Sequence, residues 1–384
     1  MIYLDHNATS PLRLEAAAAI SRALEIGGNP SSVHAAGRAA RALIEDAREI
    51  VATLAGASPG EVIFTSGGAE ANALALRGAI AGAAESGEPI TRLFIQATSH
   101  DSVRAVATSL GETTCALQVS EIPVDASGRI NHDAFRTQLA NSEGRVLVSL
   151  ITVNNETGVV EDIASLVNAI RAEAKALIHV DTVSSGYSPI RFREWNADYL
   201  SVSAHKIGGP QGVGALIAKD GAPLAPLFNG FQELRRRGGT ENVSGIAGFG
   251  AAARVLQAAW EGEAARLASI RARFEEELRV LGAMIFGEGA DRAPNTTCFA
   301  IPGLSAETAL MALDLDGVCI GSGAACSSGK VGRSHVLKAM GVSDELARCA
   351  LRVSFGWNST QADADAGIGS LEKLIARVSA RKAA

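Results

Sequence analysis

"RVLVSLITVNNETGVVEDIASLVNAIRAEAKALIHVDT", residues 145–182, decides the fold. Its two ends, RVLVSLITV (145–153) and ALIHVDT (176–182), are apolar runs with little polar alternation. Strands covered on both faces need that pattern, because neither face meets water. Between them, 161–175 reads as an amphipathic helix. Strand, helix, strand is the unit that joins two parallel strands across one face of a sheet. Working outward, the same alternation recurs. EVIFTS (61–66), RLFIQAT (92–98), DYLSVSA (198–204) and GVGALIA (212–218) read as further strands, with helices over 69–85 and 101–110. The expected fold class is α/β, a mostly parallel central sheet with helices on both faces.

The character changes after about residue 255. EGEAARLASIRARFEEELRVLG (261–282) is a long, charged amphipathic helix, and shorter helix and strand pieces follow it. Cys298 in NTTCFAI and Cys319 in DGVCIGSG fall on strand-like pieces. Residues 16–255 are expected to form a large α/β domain. Residues 1–15 and 256–384 are expected to form a smaller α+β domain, which carries a loop at about 321–333.

Composition narrows the function classes. The chain has 384 residues, 47% hydrophobic and 20% charged, as soluble globular proteins do. A net charge of -6 argues against a nucleic-acid or anionic-membrane partner, with LRRRGG (234–239) as a local exception. The five cysteines (Cys115, Cys298, Cys319, Cys326 and Cys349) are odd in number, widely spaced and without a CxxC pair. That spacing fits neither a disulfide framework nor a sequence-local metal site. The N-terminus has no signal-peptide pattern, and no uncharged apolar run is long enough to span a membrane. A cytoplasmic protein with reduced thiols is expected.

In open α/β sheets ligands bind beyond the C-terminal ends of the strands, and polar residues gather there. The turn after 61–66 carries Gly67, Gly68 and Ala69 before a helix, where free backbone N–H groups suit a phosphate. Asp181 ends an apolar strand, where a carboxylate needs a cationic partner. His100 and Asn155 follow two other strands. Lys206 and His205 sit between a strand and the turn GGPQG, a place where an amine can lose its proton and attack a carbonyl. Each has a plainer reading: Asp181 as a cap, Lys206 as a solvated side chain, His100 as structural, Asn155 as a turn residue. Together they are the set pyridoxal 5'-phosphate requires: phosphate donors, a stacking ring, a carboxylate for the ring nitrogen and an amine for the aldehyde.

One stretch stands apart. GSGAACSSGK (321–330) sets Cys326 among glycine, serine and alanine, with no helical or strand period. A thiol in such a loop is either a tolerated surface cysteine or a nucleophile that moves.

Taken with its motifs, the chain resembles the cysteine desulfurases of the NifS/IscS type, within the fold-type I, class V aminotransferase enzymes. The resemblance runs nearly end to end, through YLDHNATSPL (3–12), GGNPSSVHAAGR (27–38), FTSGGAEANALALRG (64–78), VNNETGVV (153–160), HVD (179–181), SAHKIGGPQGVGAL (203–216), RRRGGTENV (235–243), RAPNTT (292–297), SGAACSSGK (322–330), SHVLKAMG (334–341) and LRVSFG (351–356). It implies roles position by position. Lys206 holds the cofactor aldehyde, His205 contacts the cofactor, and Ser203, Gly68 and Ala69 meet its phosphate. His100 stacks on the ring and counts with Lys206 and Cys326 as catalytic, Asp181 pairs with the ring nitrogen, and Asn155 lies near the ring oxygen and the substrate carboxylate. Ser184 takes a cofactor position. Thr240 reaches the phosphate of the other subunit, which implies a homodimer. Arg352 grips the substrate carboxylate, a bidentate task suited to guanidinium, and Cys326 is the nucleophile.

The sequence departs from the family where Ala69 replaces a usual threonine and Ser184 a usual glutamine. The segment 183–190 is one residue shorter, "SH" (99–100) stands for the common "EH", and NGFQELR (229–235) stands for "GGGQERG". These departures touch cofactor affinity and the substrate-side pocket. None removes Lys206, Asp181, Arg352 or Cys326.

The resemblance implies that Lys206 takes the Cα proton of L-cysteine, Cys326 attacks the substrate sulfur as a thiolate, and alanine leaves with a persulfide on Cys326. No metal is implied in the cofactor site itself, although Cys326 meets an iron–sulfur cluster if transfer is direct. Seven residues separate Cys326 from SHVLKAMG, as in the long-loop members that pass sulfur to an iron–sulfur scaffold protein. TENV (240–243) leans toward the nitrogen-fixation type. Two other readings stay open: a selenocysteine lyase or other class V lyase or aminotransferase, for which Cys326 is dispensable, and a non-catalytic assembly protein on the same fold.

Overall fold

The computed structural model describes residues 1–322 and 333–383. Its centre is a seven-stranded sheet in the order Val62–Thr65, Gly214–Ala218, Tyr199–Ser203, Ala176–Asp181, Arg145–Ile151, Ile90–Gln96 and Gln118–Ile122. The quoted unit lies in the middle. Arg145–Ile151 and Ala176–Asp181 pair in parallel, Val146 against Ala176 through Ile151 against Asp181. The helix Ile163–Glu173 crosses between them, opened by the Asp162 side chain accepting from Ser165 N. Successive residues of Arg145–Ile151 face opposite layers. Val146, Val148 and Leu150 join one apolar core, and Leu147 joins the other. Each fully buried side chain of this size contributes about 1.5–3 kcal/mol.

Six of the seven strands run in one direction, and Gly214–Ala218 is antiparallel to both its neighbours. It follows Tyr199–Ser203 through a short helical turn and a Gly-Pro turn, with no crossover helix to bring it back parallel. Gln118–Ile122 is an edge strand outside the sequence expectation. Its residues QVSEI are mostly solvent-facing, so it has no apolar run.

Smaller elements cap this layer. A four-stranded antiparallel sheet runs Gly321–Ser322, Ala350–Ser354, Thr296–Ala300, Met284–Ile285. Ile2–Tyr3 pairs in parallel with Val318–Cys319, so the chain start lies against this C-terminal part. The helix Val243–Val280 runs unbroken through residue 255, and 261–282 is its second half rather than a separate element. The two parts therefore share one 38-residue helix. Among the described residues no helix is long and apolar enough to cross a membrane.

Candidate active site

The parallel strands bring their C-terminal ends to one edge, and the residues singled out in the sequence assemble there. Asp181 closes its strand and is buried. Its carboxylate accepts from Asn72 Nδ2 at 2.9 Å and from Val183 N at 2.9 Å. Asn155 follows Arg145–Ile151, in a turn built by Asn154, whose Oδ1 accepts from Glu156 N and Thr157 N. His100 follows Ile90–Gln96 and caps the helix Asp101–Thr113, its side chain accepting from Ser102 N. Ser184 lies half-buried in the turn after Asp181. Gly68 begins the helix Gly68–Glu85, with Ala69 exposed beside it. A Cβ at Gly68 would lie 2.6 Å from Val183 Cγ2, so only glycine lets this turn approach the strand end so closely.

Lys206 sits in the short helical turn Ala204–Ile207 directly after Tyr199–Ser203. Its amine is pushed down to about 8, first by burial, then by repulsion from Arg352, against the pull of Asp5 and Asp181. Burial, with Lys206 beside it, lowers the neighbouring His205 to about 4. The Lys206 amine donates to the carbonyls of Asn7 and Ala8, the latter at 3.1 Å.

That contact reveals a group absent from the candidate residues, the N-terminal segment. Asn7 Nδ2 donates to Asn155 O and to Thr296 Oγ1, both at 2.9 Å. Asp5 Oδ1 pairs with Arg352 Nη2 at 2.8 Å, while Arg352 Nη1 donates to Asn155 O at 3.1 Å. Arg352 lies on Ala350–Ser354, opposite both Cys298 and Gly321. A Cβ at Gly321 would come within 2.8 Å of Asp5 Oδ1 and 2.9 Å of Arg352 Nη2, so the pair passes only over a glycine. The signal was present in the sequence: Asp5 and Asn7 stand in a polar run between a short strand and Pro11.

One described residue stands apart from this group. Thr240 is exposed, ahead of the helix Val243–Val280, lining a small pocket with Thr65, Ser66 and Arg237. Cys326 lies outside the described residues.

The site fits a phosphorylated pyridine aldehyde. Ser203 Oγ, Asn72 Oδ1 and Arg352 Nε are buried with no hydrogen-bond partner among the described residues, and buried polar atoms are seldom left so without a ligand to meet them. The helix Gly68–Glu85 starts without a side-chain cap, leaving backbone donors for an anion.

Comparison with known proteins agrees with this geometry. The aminotransferase class-V family matches residues 2–366. A cysteine desulfurase of Cereibacter sphaeroides is 40% identical, over 97% of this chain and 95% of that relative. Among solved structures, a NifS-like protein superposes with a TM-score of 0.90 at 28% identity, over 98% of this chain and 99% of the other. SspA in complex with cysteine superposes with a TM-score of 0.80 at 27% identity, over 92% and 99%. With the family model matching nearly the whole chain and relatives alike over almost their full length, the chain belongs to the pyridoxal-phosphate-dependent class-V aminotransferase family, on its cysteine desulfurase branch.

Proposed function

We propose that this chain is a pyridoxal-phosphate-dependent cysteine desulfurase, which converts L-cysteine to L-alanine and takes the sulfur on Cys326 as a persulfide. The observation that carries this is Lys206, with an amine lowered to about 8, set among Asp181, Asn155 and Arg352 at one strand edge. Pyridoxal 5'-phosphate, when bound, supplies an aldehyde that captures amines and a ring that stabilises negative charge at Cα.

The chain's own residues do the rest. Ser203 and the backbone N–H groups at Gly68 and Ala69 would hold the phosphate. The Asp181 carboxylate would favour a proton on the ring nitrogen. Ser184, His205, Asn155 and His100 are the further residues that would contact the cofactor. Arg352 receives the substrate carboxylate in its guanidinium fork, and Asn155 lies beside it. With its amine lowered to about 8, Lys206 has a neutral fraction near neutral pH that can take the Cα proton, a fraction that grows as pH rises. The Cys326 thiolate then attacks the substrate sulfur. The S–S bond forms as the C–S bond breaks, the electron pair goes to Cβ, and protonation at Cβ with return of a proton to Cα from Lys206 gives alanine. Cysteine and a protein thiol become alanine and a persulfide, with no external oxidant.

The described cysteines Cys115, Cys298, Cys319 and Cys349 are free, as suits a reducing cytoplasm. An iron–sulfur scaffold protein is the proposed acceptor of the sulfur. A homodimer is proposed as the working form, with Thr240 serving the partner's site. The segment before Thr240 supports this, since Phe228, Phe231 and Leu234 on it are all exposed.

The test compares wild type and Cys326→Ala incubated with cysteine. Alanine release, and an added sulfur on the peptide carrying residue 326, are expected in wild type and lost together in the variant. Equal alanine release from both, without added sulfur, would sink the reading.

A further inference from the structure

Asp181 and His100 come from different strand ends, yet one buried side chain connects them. Asn72, on the helix Gly68–Glu85, is 1% exposed. Its Nδ2 donates to Asp181 Oδ2 at 2.9 Å and to Ser102 Oγ at 2.9 Å. Both amide protons are therefore used. The reverse orientation of the amide would set two acceptor oxygens 2.9 Å apart at Asp181, so the direction of these bonds is fixed by chemistry.

The direction propagates. Ser102 Oγ accepts from Asn72, and its single proton is left to donate. Its other neighbour is His100 Nδ1, at 2.8 Å. The backbone N–H of Ser102 points to that same Nδ1 at 3.1 Å, and a backbone proton cannot be turned away. His100 Nδ1 faces two donors, so it carries no proton and the ring proton sits on Nε2.

We propose that Asn72 is a positioning residue that holds the Asp181 carboxylate in place and commits the Ser102 hydroxyl to His100 Nδ1, as a second donor beside the backbone N–H that keeps the ring proton on Nε2. This deepens the desulfurase reading and rests on it, because Asp181 and His100 are the two groups assigned there to the cofactor ring. One amide then orients both the carboxylate that would pair with the ring nitrogen and the imidazole that would stack on the ring. Loss of Asn72 disturbs both at once, whereas loss of the Ser102 hydroxyl disturbs only His100.

The experiment uses the holoenzyme labelled with 15N-histidine, with the His100 signals assigned through His100→Gln. Wild type is expected to show a protonated Nε2 and a bare Nδ1. Ser102→Ala is expected to keep that tautomer, held by the backbone N–H, but to shift the Nδ1 signal toward that of a nitrogen with one donor fewer, and Ser102→Thr, which keeps the hydroxyl, to restore the wild-type pattern. Neither variant is expected to change the rate at which the cofactor dissociates. Asn72→Ala, which leaves the Ser102 hydroxyl uncommitted, is expected to shift the Nδ1 signal in the same direction and to speed cofactor dissociation by about tenfold or more, the cost of one hydrogen bond to a charged group. A proton on Nδ1 in wild type, or an unchanged Nδ1 signal in Ser102→Ala, overturns the proposal. So does an Asn72→Ala protein with wild-type Nδ1 signal and wild-type cofactor release. Failure of the desulfurase reading looks different: wild type would release no alanine from cysteine, while the ring-nitrogen signals would still report the tautomer.

Discussion

Lys206 is where residue identity and environment combine most directly. A solvated lysine amine is charged at neutral pH and neither attacks an aldehyde nor takes a proton. Burial and Arg352 lower it to about 8. In cofactor-free protein, acylation of Lys206 followed peptide by peptide is therefore expected to rise with pH, with its midpoint near 8. Arg352→Ala removes a repulsive positive charge, so the midpoint is expected to move upward. A wild-type midpoint near the ordinary 10.5 would contradict the environment described here. Lys206 and Asp181 could be singled out from sequence because each stands at the end of an apolar strand, though each alone had a plainer reading, and Arg352 came only with the family resemblance. Asn7 and Asn72 could not be read that way. An asparagine in a polar N-terminal run, or inside an alanine-rich helix, looks like surface chemistry until folding brings it against Asn155 or Asp181.

At the scale of elements, the short helix His335–Ala339 shows how a secondary structure can be fixed from outside. Its cap Ser334 accepts from Leu337 N at 3.0 Å and donates to Glu156 Oε2 at 2.5 Å. His335 Nε2 meets Ser99 O at 2.9 Å. The helix start is thus tied to the two loops that carry Asn155 and His100. Burial raises Glu156 to about 7, against the Ser334 hydrogen bond and Arg352, which favour its charged form, and with Asp101 adding to the rise. The folded protein therefore holds this proton over a range where the unfolded chain, at 4.5, has released it. Stability from this group is full below about 4.5 and is lost as pH rises toward 7. Glu156→Gln keeps a neutral partner for Ser334. Its stability relative to wild type is expected to climb across that window, by on the order of 3 kcal/mol. Using the difference between the two proteins cancels Glu161, also raised to about 7 by burial, and the buried histidines His6 and His179, which act in the opposite sense. Urea titrations at several pH values measure it, and a flat difference would show that Glu156 is ionised in the fold. Elements with strong apolar runs were legible in the sequence. Gln118–Ile122 was not, because an edge strand has one covered side at most, and the reversed Gly214–Ala218 was read as a strand without its direction.

For the whole molecule, the segment 228–240 poses the sharpest question. Glu233, Leu234 and Arg235 all have positive φ, a run that residues with side chains avoid. Glu233 anchors it from inside. Its carboxylate accepts from Arg48 at 2.8 and 2.9 Å and from Phe64 N at 2.7 Å. The turn is therefore held with Phe228, Phe231 and Leu234 facing out, and Thr240 follows directly. A surface that strains its backbone to expose apolar side chains fits a partner better than it fits water. In the proposed homodimer each Thr240 completes the other chain's site, and that can be tested without seeing the interface. Thr240→Glu sets a negative charge against the phosphate, and Lys206→Ala removes the amine, so each variant alone is expected to be inactive. A mixed dimer of the two, purified by different affinity tags, differs according to where Thr240 acts. If Thr240 serves the partner, both lesions fall in one site and the other site is intact, so activity per dimer returns to about half of wild type. If Thr240 serves its own chain, both sites carry a lesion and the mixed dimer stays inactive. Half activity establishes that the working unit is two chains sharing their sites, and no activity returns Thr240 to the surface pocket it lines with Ser66 and Arg237.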